Sequence, residues 1–244
     1  MSETSYKLEE LLIYTICGLL DDCAHITTGM ASPIPAAAAL LRQKISAQAV
    51  RVSILKSQHL HSFTDGSSEV FDLAAQGRID AFFLSGGQID GRGNINLVGI
   101  GDYPQMKVRW SGSFGSAYLY YLIPKVILFR FEHTPRTLVE QVDFVSAPGS
   151  SDPEVYRRGG PYALITNRCL FTFNATEHRF CLESLHPGET LEGIREQTGF
   201  EFDVAQNLKQ TATPPAEIIS LLRGEVAAAL RDPYPAFVES VFGA

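Results

Sequence analysis

Ser85-Gly86-Gly87 is the stretch of this chain with the residue types to do chemistry. It follows the apolar run 79–84, which reads as a strand buried on both faces. Glycines at the C-terminal end of a strand let another molecule approach the main-chain N–H groups closely. Such a loop can bind a phosphate or the oxygen of a polarised carbonyl, and it can equally be a tight turn. Gln88 and Asp90 follow directly. Asp90 either orients the loop or closes an Asx-turn within Asp90-Gly91-Arg92-Gly93-Asn94, where Gly and Asn tolerate positive φ. Two further glycine loops invite the same question. Gly29 lies between a short strand and an alanine-rich helix whose N–H groups could face an anion. Gly112 and Gly115 sit in Trp110-Ser111-Gly112-Ser113-Phe114-Gly115-Ser116. Arg157-Arg158-Gly159-Gly160 could meet phosphate, although paired arginines are more often a solvated turn.

The histidines offer less. His59 and His61 read as a solvated loop pair, His133 and His178 as surface residues, and His186 before Pro187-Gly188 as a structural hydrogen-bonder. No Ser-His-Asp order, phosphate-binding Walker loop or His-x-x-x-His pair is present, so no metal is expected.

The elements that must carry these loops alternate. Leu8, Leu11, Leu12, Thr15, Ile16 and Leu19 recur at helical spacing, and Ile13, Tyr14 and Cys17 make the opposite face apolar too. A strand is expected over 24–28 and a helix over 36–43, with Pro35 at its first turn. Val50, Val52 and Ile54 alternate with Arg51 and Ser53, which predicts a strand with one wetter face. A helix over 69–76 stops at Gly77. Strands are expected over 95–100 and 125–131, with 142–145 extending that core and a short helix over 117–123 between them. Strands over 162–166, 170–173 and 180–185 read as antiparallel, which places Cys169 and Cys181 nearly opposite each other as a reduced pair. Thr190 caps a helix ending at Gly199, and Pro215 opens the last one, through Leu230. The expectation is a single α/β domain over 1–244. Its open, mostly parallel sheet is flanked by helices, with antiparallel strands added in the second half.

Composition narrows the function. The formal net charge is −7, and phosphate-backbone binding wants a basic face, so nucleic acid is not an expected partner. No apolar run reaches the ~18 residues of a membrane span. Acidic residues flank the apolar segment 11–20, which argues against a signal peptide. Four cysteines lacking any Cys-x-x-Cys pair fit reduced thiols and a cytoplasmic location.

Taken in order, several fragments resemble the β subunit of class I coenzyme A transferases of the glutaconate type. They are Phe83-Leu84-Ser85-Gly86-Gly87-Gln88-Ile89-Asp90 with Gly93, Asn94 and Asn96, then Asp143-Phe144-Val145-Ser146-Ala147-Pro148-Gly149. Leu185-His186-Pro187-Gly188, Thr198-Gly199-Phe200 and Pro214-Pro215 complete the set. The resemblance implies an α/β fold and a homologous α subunit, as αβ or α2β2. It also implies an acyl-CoA substrate bound between subunits, with coenzyme A only as part of that substrate and no permanently bound cofactor. By position, Ser85 and Gly86 would supply backbone N–H groups to the thioester oxyanion, and Gln88 joins them in the catalytic loop. Gly29, Gln58, Gly87, Asp90, Gly112 and Gly115 would shape the substrate or CoA site.

The chain departs from the family at one point. The family's β-subunit glutamate, which attacks the thioester carbonyl, falls at Leu55 by ungapped counting and at Gln58 after a small shift. Neither is a nucleophile; Asp65 and Glu69 are the nearest carboxylates downstream. The departure makes the chain look most like two divergent branches that cleave C–C bonds, a steroid-ring-opening hydrolase and a methylglutaconyl-CoA decarboxylase. C–C cleavage is therefore the expected activity. The alternatives are genuine CoA transfer and a non-catalytic scaffold that completes its partner's site.

Overall fold

The computed structural model describes residues 5–243. They fall into two compact units, and neither is one continuous stretch. Residues 5–70, 78–83 and 212–243 form the first, and residues 71–77 and 84–211 the second.

In the first unit, α1 (Leu8–Gly18) buries Leu11, Leu12, Ile13, Ile16 and Cys17, as its all-round apolar pattern predicts. Its fully buried Glu10 meets the Arg223 guanidinium at 2.7 Å, and its other oxygen accepts the Lys7 N–H at 2.8 Å. That pairing is what a buried carboxylate requires. β1 (His25–Thr28) leads into α2 (Pro33–Ile45), which starts a few residues before the expected helix because Pro33 suits its first position. Ala36, Ala37, Ala38 and Ala39 are fully buried on α2. β2 (Arg51–Ile54) runs parallel to β1 from His25↔Arg51 to Thr28↔Ile54. The expected wetter face reaches only Arg51. Ser53 is fully buried, because its hydroxyl is satisfied by His25 Nε2 at 2.9 Å and Ser62 Oγ at 2.7 Å.

After α3 (Gly66–Ala75), β3 (Ala81–Leu84) pairs parallel with β1 at Ile26↔Ala81. The second unit continues with a hairpin of β4 (Gln88–Ile89) and β5 (Ile95–Asn96), then a ribbon of β6 (Gly99–Ile100) and β7 (Val108–Arg109). The single strand expected over 95–100 is split. Asn96 Oδ1 accepts the N–H groups of Val98 (2.9 Å) and Gly99 (3.3 Å) and turns the backbone between the pieces. α4 (Ser116–Leu122) precedes β8 (Lys125–Phe129), which pairs parallel with β9 (Pro161–Ile165). β10 (Cys169–Asn174) and β11 (Arg179–Leu185) then add antiparallel strands.

β11 is followed by α5 (Leu191–Gln197), whose Thr190 cap accepts the Gly193 N–H as expected. A strand that the sequence did not suggest comes next. β12 (Asp203–Gln210) pairs parallel with β11, and α5 makes the crossover that a parallel pair needs.

Three expectations fail here. Cys169 faces Leu185 and Cys181 faces Thr172, so the two thiols are not opposite. The segment 142–145 is not a strand: Val142 is buried but Val145 is 48% exposed. His133 is buried rather than superficial, between Thr166 Oγ1 at 2.8 Å and Thr198 Oγ1 at 2.9 Å.

The C-terminal segment returns to the first unit. α6 (Ala216–Leu221) starts after Pro215, passes through a π-turn at Leu222–Val226 and continues as α7 (Ala227–Leu230). α8 (Pro235–Phe242) lies beyond the expected end, with Pro235 at its first position. The α/β class holds, with parallel strands in the first unit and antiparallel strands added in the second. Among the described residues no helix is long and apolar enough to cross a membrane.

Candidate active site

The Ser85 loop leaves β3 and is fixed at once by the β4–β5 hairpin. Gly87 N–H donates to the Asn96 carbonyl at 2.9 Å. Ser85 is exposed. The space left by the missing side chains is filled from within. A Cβ on Gly86 would meet the Gln88 carbonyl and Ile95 Cγ2, each at 2.7 Å. A Cβ on Gly87 would fall 2.1 Å from the Trp110 indole. These glycines are therefore required by the chain's own packing, not by the approach of another molecule on their Cα faces. Ser85 is exposed beside them, while Gly86 is itself buried.

Gln88 and Asp90 hold this loop. Gln88 is buried, and its Oε1 accepts Asn96 Nδ2 at 2.7 Å and Asp143 N–H at 3.0 Å. Asp90 Oδ1 accepts the N–H groups of Arg92 and Asn94, both at 3.0 Å, and Oδ2 accepts Asn94 Nδ2 at 3.0 Å. This is the Asx-turn alternative, with both Asp90 oxygens engaged in the turn. The two motif fragments around 83–96 and 143–149 form one network. Ser146 Oγ accepts Leu97 N–H at 3.0 Å and donates to the Ile95 carbonyl at 2.8 Å. Asn94 Oδ1 accepts Gly149 N–H at 3.0 Å.

Ser85, Gly86 and Gly87 line a cavity of about 530 Å³ together with Trp110, Ser111 and Arg130. Glu132 and Arg136 also line it. Sequence reasoning missed these charged residues because they follow a strand end with no motif around them. Glu132 lies 3.0 Å from Arg130 Nη2 and 2.5 Å from Arg136 Nη2. The Arg136 hydrogen bond, reinforced by Arg130, holds its carboxyl below the usual carboxylate range. Gly112 and Gly115 lie outside this lining. Gly115 is packed against the Phe71 ring, where a Cβ would fall at 2.2 Å, while Gly112 takes φ +101 beside open space. Asp90 lines a different cavity, of about 600 Å³, with Arg92, Glu140 and Glu201.

Gly29 and Gln58 belong to the first unit. There the C-terminal segment binds both strand-end loops, a feature with no sequence signal. Asp232 Oδ2 accepts from Ser57 Oγ at 2.5 Å, Gln58 N–H at 2.8 Å and His59 N–H at 3.4 Å. These bonds, the Ser57 hydroxyl foremost, pull its pKa down. Ser57 Oγ in turn accepts the N–H groups of His59 (3.1 Å) and Leu60 (2.8 Å), so its lone pairs are spent on the turn. Tyr234 Oη is placed to donate to the carbonyls of Gly29 (3.1 Å) or Met30 (3.2 Å) and accepts Ser32 N–H at 3.3 Å. Lys56 Nζ sits 5.0 Å over its ring. Glu69 turns back on Thr64, accepting both its N–H and, at 2.9 Å, its hydroxyl. Glu69 is therefore a turn and helix-start residue.

Burial pushes the Cys169 thiol well up and holds His133 down to about 4. His186 has the structural partners expected of it, Thr211 Oγ1 at 2.8 Å and the Thr166 carbonyl at 3.1 Å.

The coenzyme A transferase family profile matches residues 24–197. The chain belongs to the coenzyme A transferase family. It is 34% identical over 164 residues to the β subunit of the 3-oxoadipate CoA-transferase of Pseudomonas knackmussii, covering 64% of this chain and 63% of that protein. It is 31% identical over 159 residues to the cholesterol ring-cleaving hydrolase IpdB subunit of Rhodococcus jostii, covering 64% and 62%. In both cases the match spans less than two thirds of the relative's length. Among solved structures, the Acidaminococcus fermentans glutaconate coenzyme A-transferase superposes with a TM-score of 0.81 at 22% identity, covering 96% of this chain and 98% of that one. The decarboxylase AibA/AibB gives 0.78 at 23% identity, covering 98% and 100%. These likenesses establish the fold that the family members share.

Proposed function

We propose that the chain is the β subunit of a heteromeric, cytoplasmic CoA-transferase-family enzyme that acts on an acyl-CoA thioester by C–C cleavage, not CoA exchange. One observation carries this reading. The β2 strand end, Leu55 to His59, holds no glutamate, and the carboxylate bound to it among the described residues, Asp232, accepts three hydrogen bonds through a single oxygen. Its Oδ2 is thereby committed to the turn, and the same bonds lower the basicity of the carboxylate. Asp232 also belongs to the loop clamp and is not a substitute for the family's glutamate.

What the chain does offer is the backbone edge at Ser85 and Gly86. When a C–C bond adjacent to the thioester breaks, its electron pair delocalises into the carbonyl as an enolate. Two N–H donors at that oxygen stabilise the charge. For decarboxylation the fragment lost is carbon dioxide and a proton takes its place; for ring opening, water supplies the hydroxyl and proton. The acid or base is assigned to the α subunit.

The discriminating pair of variants is Ser85→Pro and Ser85→Ala, assayed in the complex with the α subunit. Losing one oxyanion donor costs about 3–4 kcal/mol, or roughly 10²–10³ in kcat. Ser85→Pro removes the N–H and should lose that much, while Ser85→Ala keeps it and should stay within about threefold. Equal activity of the two would overturn the role. The 34% identity to a transferase subunit favours a second reading, genuine CoA transfer with a nucleophile supplied elsewhere.

A further inference from the structure

The cavity beside the Ser85 loop carries a charge pattern that the oxyanion role does not use. Arg130, Glu132 and Arg136 are its charged lining residues, a local sum of +1. Glu132 offers one oxygen to each guanidinium, at 3.0 Å and 2.5 Å, and so holds the pair together. Arg130 Nε is buried yet has no hydrogen-bond partner among the described residues. Such a donor calls for an acceptor. The rest of the lining is short and neutral: Ser111 and Thr137, with Leu97, Ile100 and the Trp110 indole as apolar wall. Paired guanidiniums match a carboxylate in shape and charge.

We propose that Arg130 and Arg136, held by Glu132, are specificity-determining residues that bind a carboxylate at the far end of the acyl chain. The substrate's thioester oxygen would sit at the Ser85 and Gly86 N–H groups and its distal carboxylate at the arginines, across one cavity. This assignment rests on the acyl-CoA reading above.

The chain has one tryptophan, and Trp110 lines this cavity. Labelling this chain alone with fluorotryptophan therefore gives one fluorine resonance, with or without a partner subunit. The probes are glutaryl-CoA, valeryl-CoA, in which a methyl replaces the carboxylate, and free glutarate. Glutaryl-CoA should bind at least tenfold more tightly than valeryl-CoA. In the Arg130→Met/Arg136→Met double variant that ratio should fall to near one with valeryl-CoA binding unchanged, which also shows that the variant is folded. Glu132→Gln, which removes the resident carboxylate, should tighten glutarate binding. A ratio that survives the double variant overturns the assignment, as does a ratio near one in the unaltered chain. If glutarate shifts the resonance through the arginines but neither thioester does, the carboxylate site stands and the acyl-CoA reading falls. If all three probes are silent, both fall.

Discussion

At Gly87 the distance from a would-be Cβ to the Trp110 indole is 2.1 Å, and that contact separates two explanations of a glycine. A glycine needed for ligand approach tolerates alanine in the free protein; one filled by its own chain does not. Gly87→Ala should therefore destabilise the unligated protein by about 1–3 kcal/mol, the usual range for overpacking. Denaturant midpoints measure this, and an unchanged midpoint would return the glycine to a ligand role. His133 gives a pH prediction. Its folded pKa of about 4 lies below the ordinary 6.5, so the unfolded chain takes up a proton first as pH falls. Stability is complete above about 6.5 and is lost on descending toward 4, by about 3 kcal/mol from the difference in pKa. His133→Gln should flatten that slope between pH 6.5 and 4. A slope unchanged in the variant would place the titration elsewhere.

The elements divide into those written in local pattern and those set by distant partners. α1, α2, β1, β2 and the Thr190 cap follow from periodicity and turn chemistry. The split between β5 and β6 does not, because side chains divert the backbone there, Asn96 at Val98 and Gly99 and the distant Ser146 at Leu97. β12 was hidden because most of its residues are half-buried or exposed and polar, in Asp203-Val204-Ala205-Gln206-Asn207-Leu208-Lys209-Gln210, so it carries no apolar alternation. His133 read as surface from the charges around it, yet its position is decided by Thr166 and Thr198, 33 and 65 residues away. At the site, the Ser85 loop was legible from its glycines. The Arg130–Glu132–Arg136 cluster and the Asp232 clamp were not, since neither has a local motif. The clamp predicts a local effect. Asp232→Asn weakens the acceptor of three donors, so hydrogen exchange at the Gln58 and His59 amides should accelerate by about tenfold or more, with α1 unchanged. Exchange unchanged at both amides would mean that the turn stands without the carboxylate.

On the scale of the whole molecule, large apolar side chains stand in solvent: Phe114 is 87% exposed, Tyr156 76% and Tyr103 58%. On the proposed two-subunit reading, some of these side chains are covered by the partner. Expressed alone it should self-associate, and co-expression with the α subunit should give a defined heteromer by sedimentation. A well-behaved, active monomer would contradict the two-subunit reading. At a net charge of −7, the chain would hold an anionic ligand through local positive groups rather than long-range attraction.

On the proposed reading, this family member works through the backbone at Ser85 and Gly86 with no covalent step at the β2 strand end. Borohydride added during turnover of the complex with acyl-CoA tests it most directly, because the reagent reduces a glutamyl-CoA thioester to a stable alcohol. Cleaved product and an unmodified chain by peptide mass spectrometry are expected. A glutamate reduced to its alcohol in stoichiometric amount, dependent on acyl-CoA, would contradict it and establish CoA transfer instead.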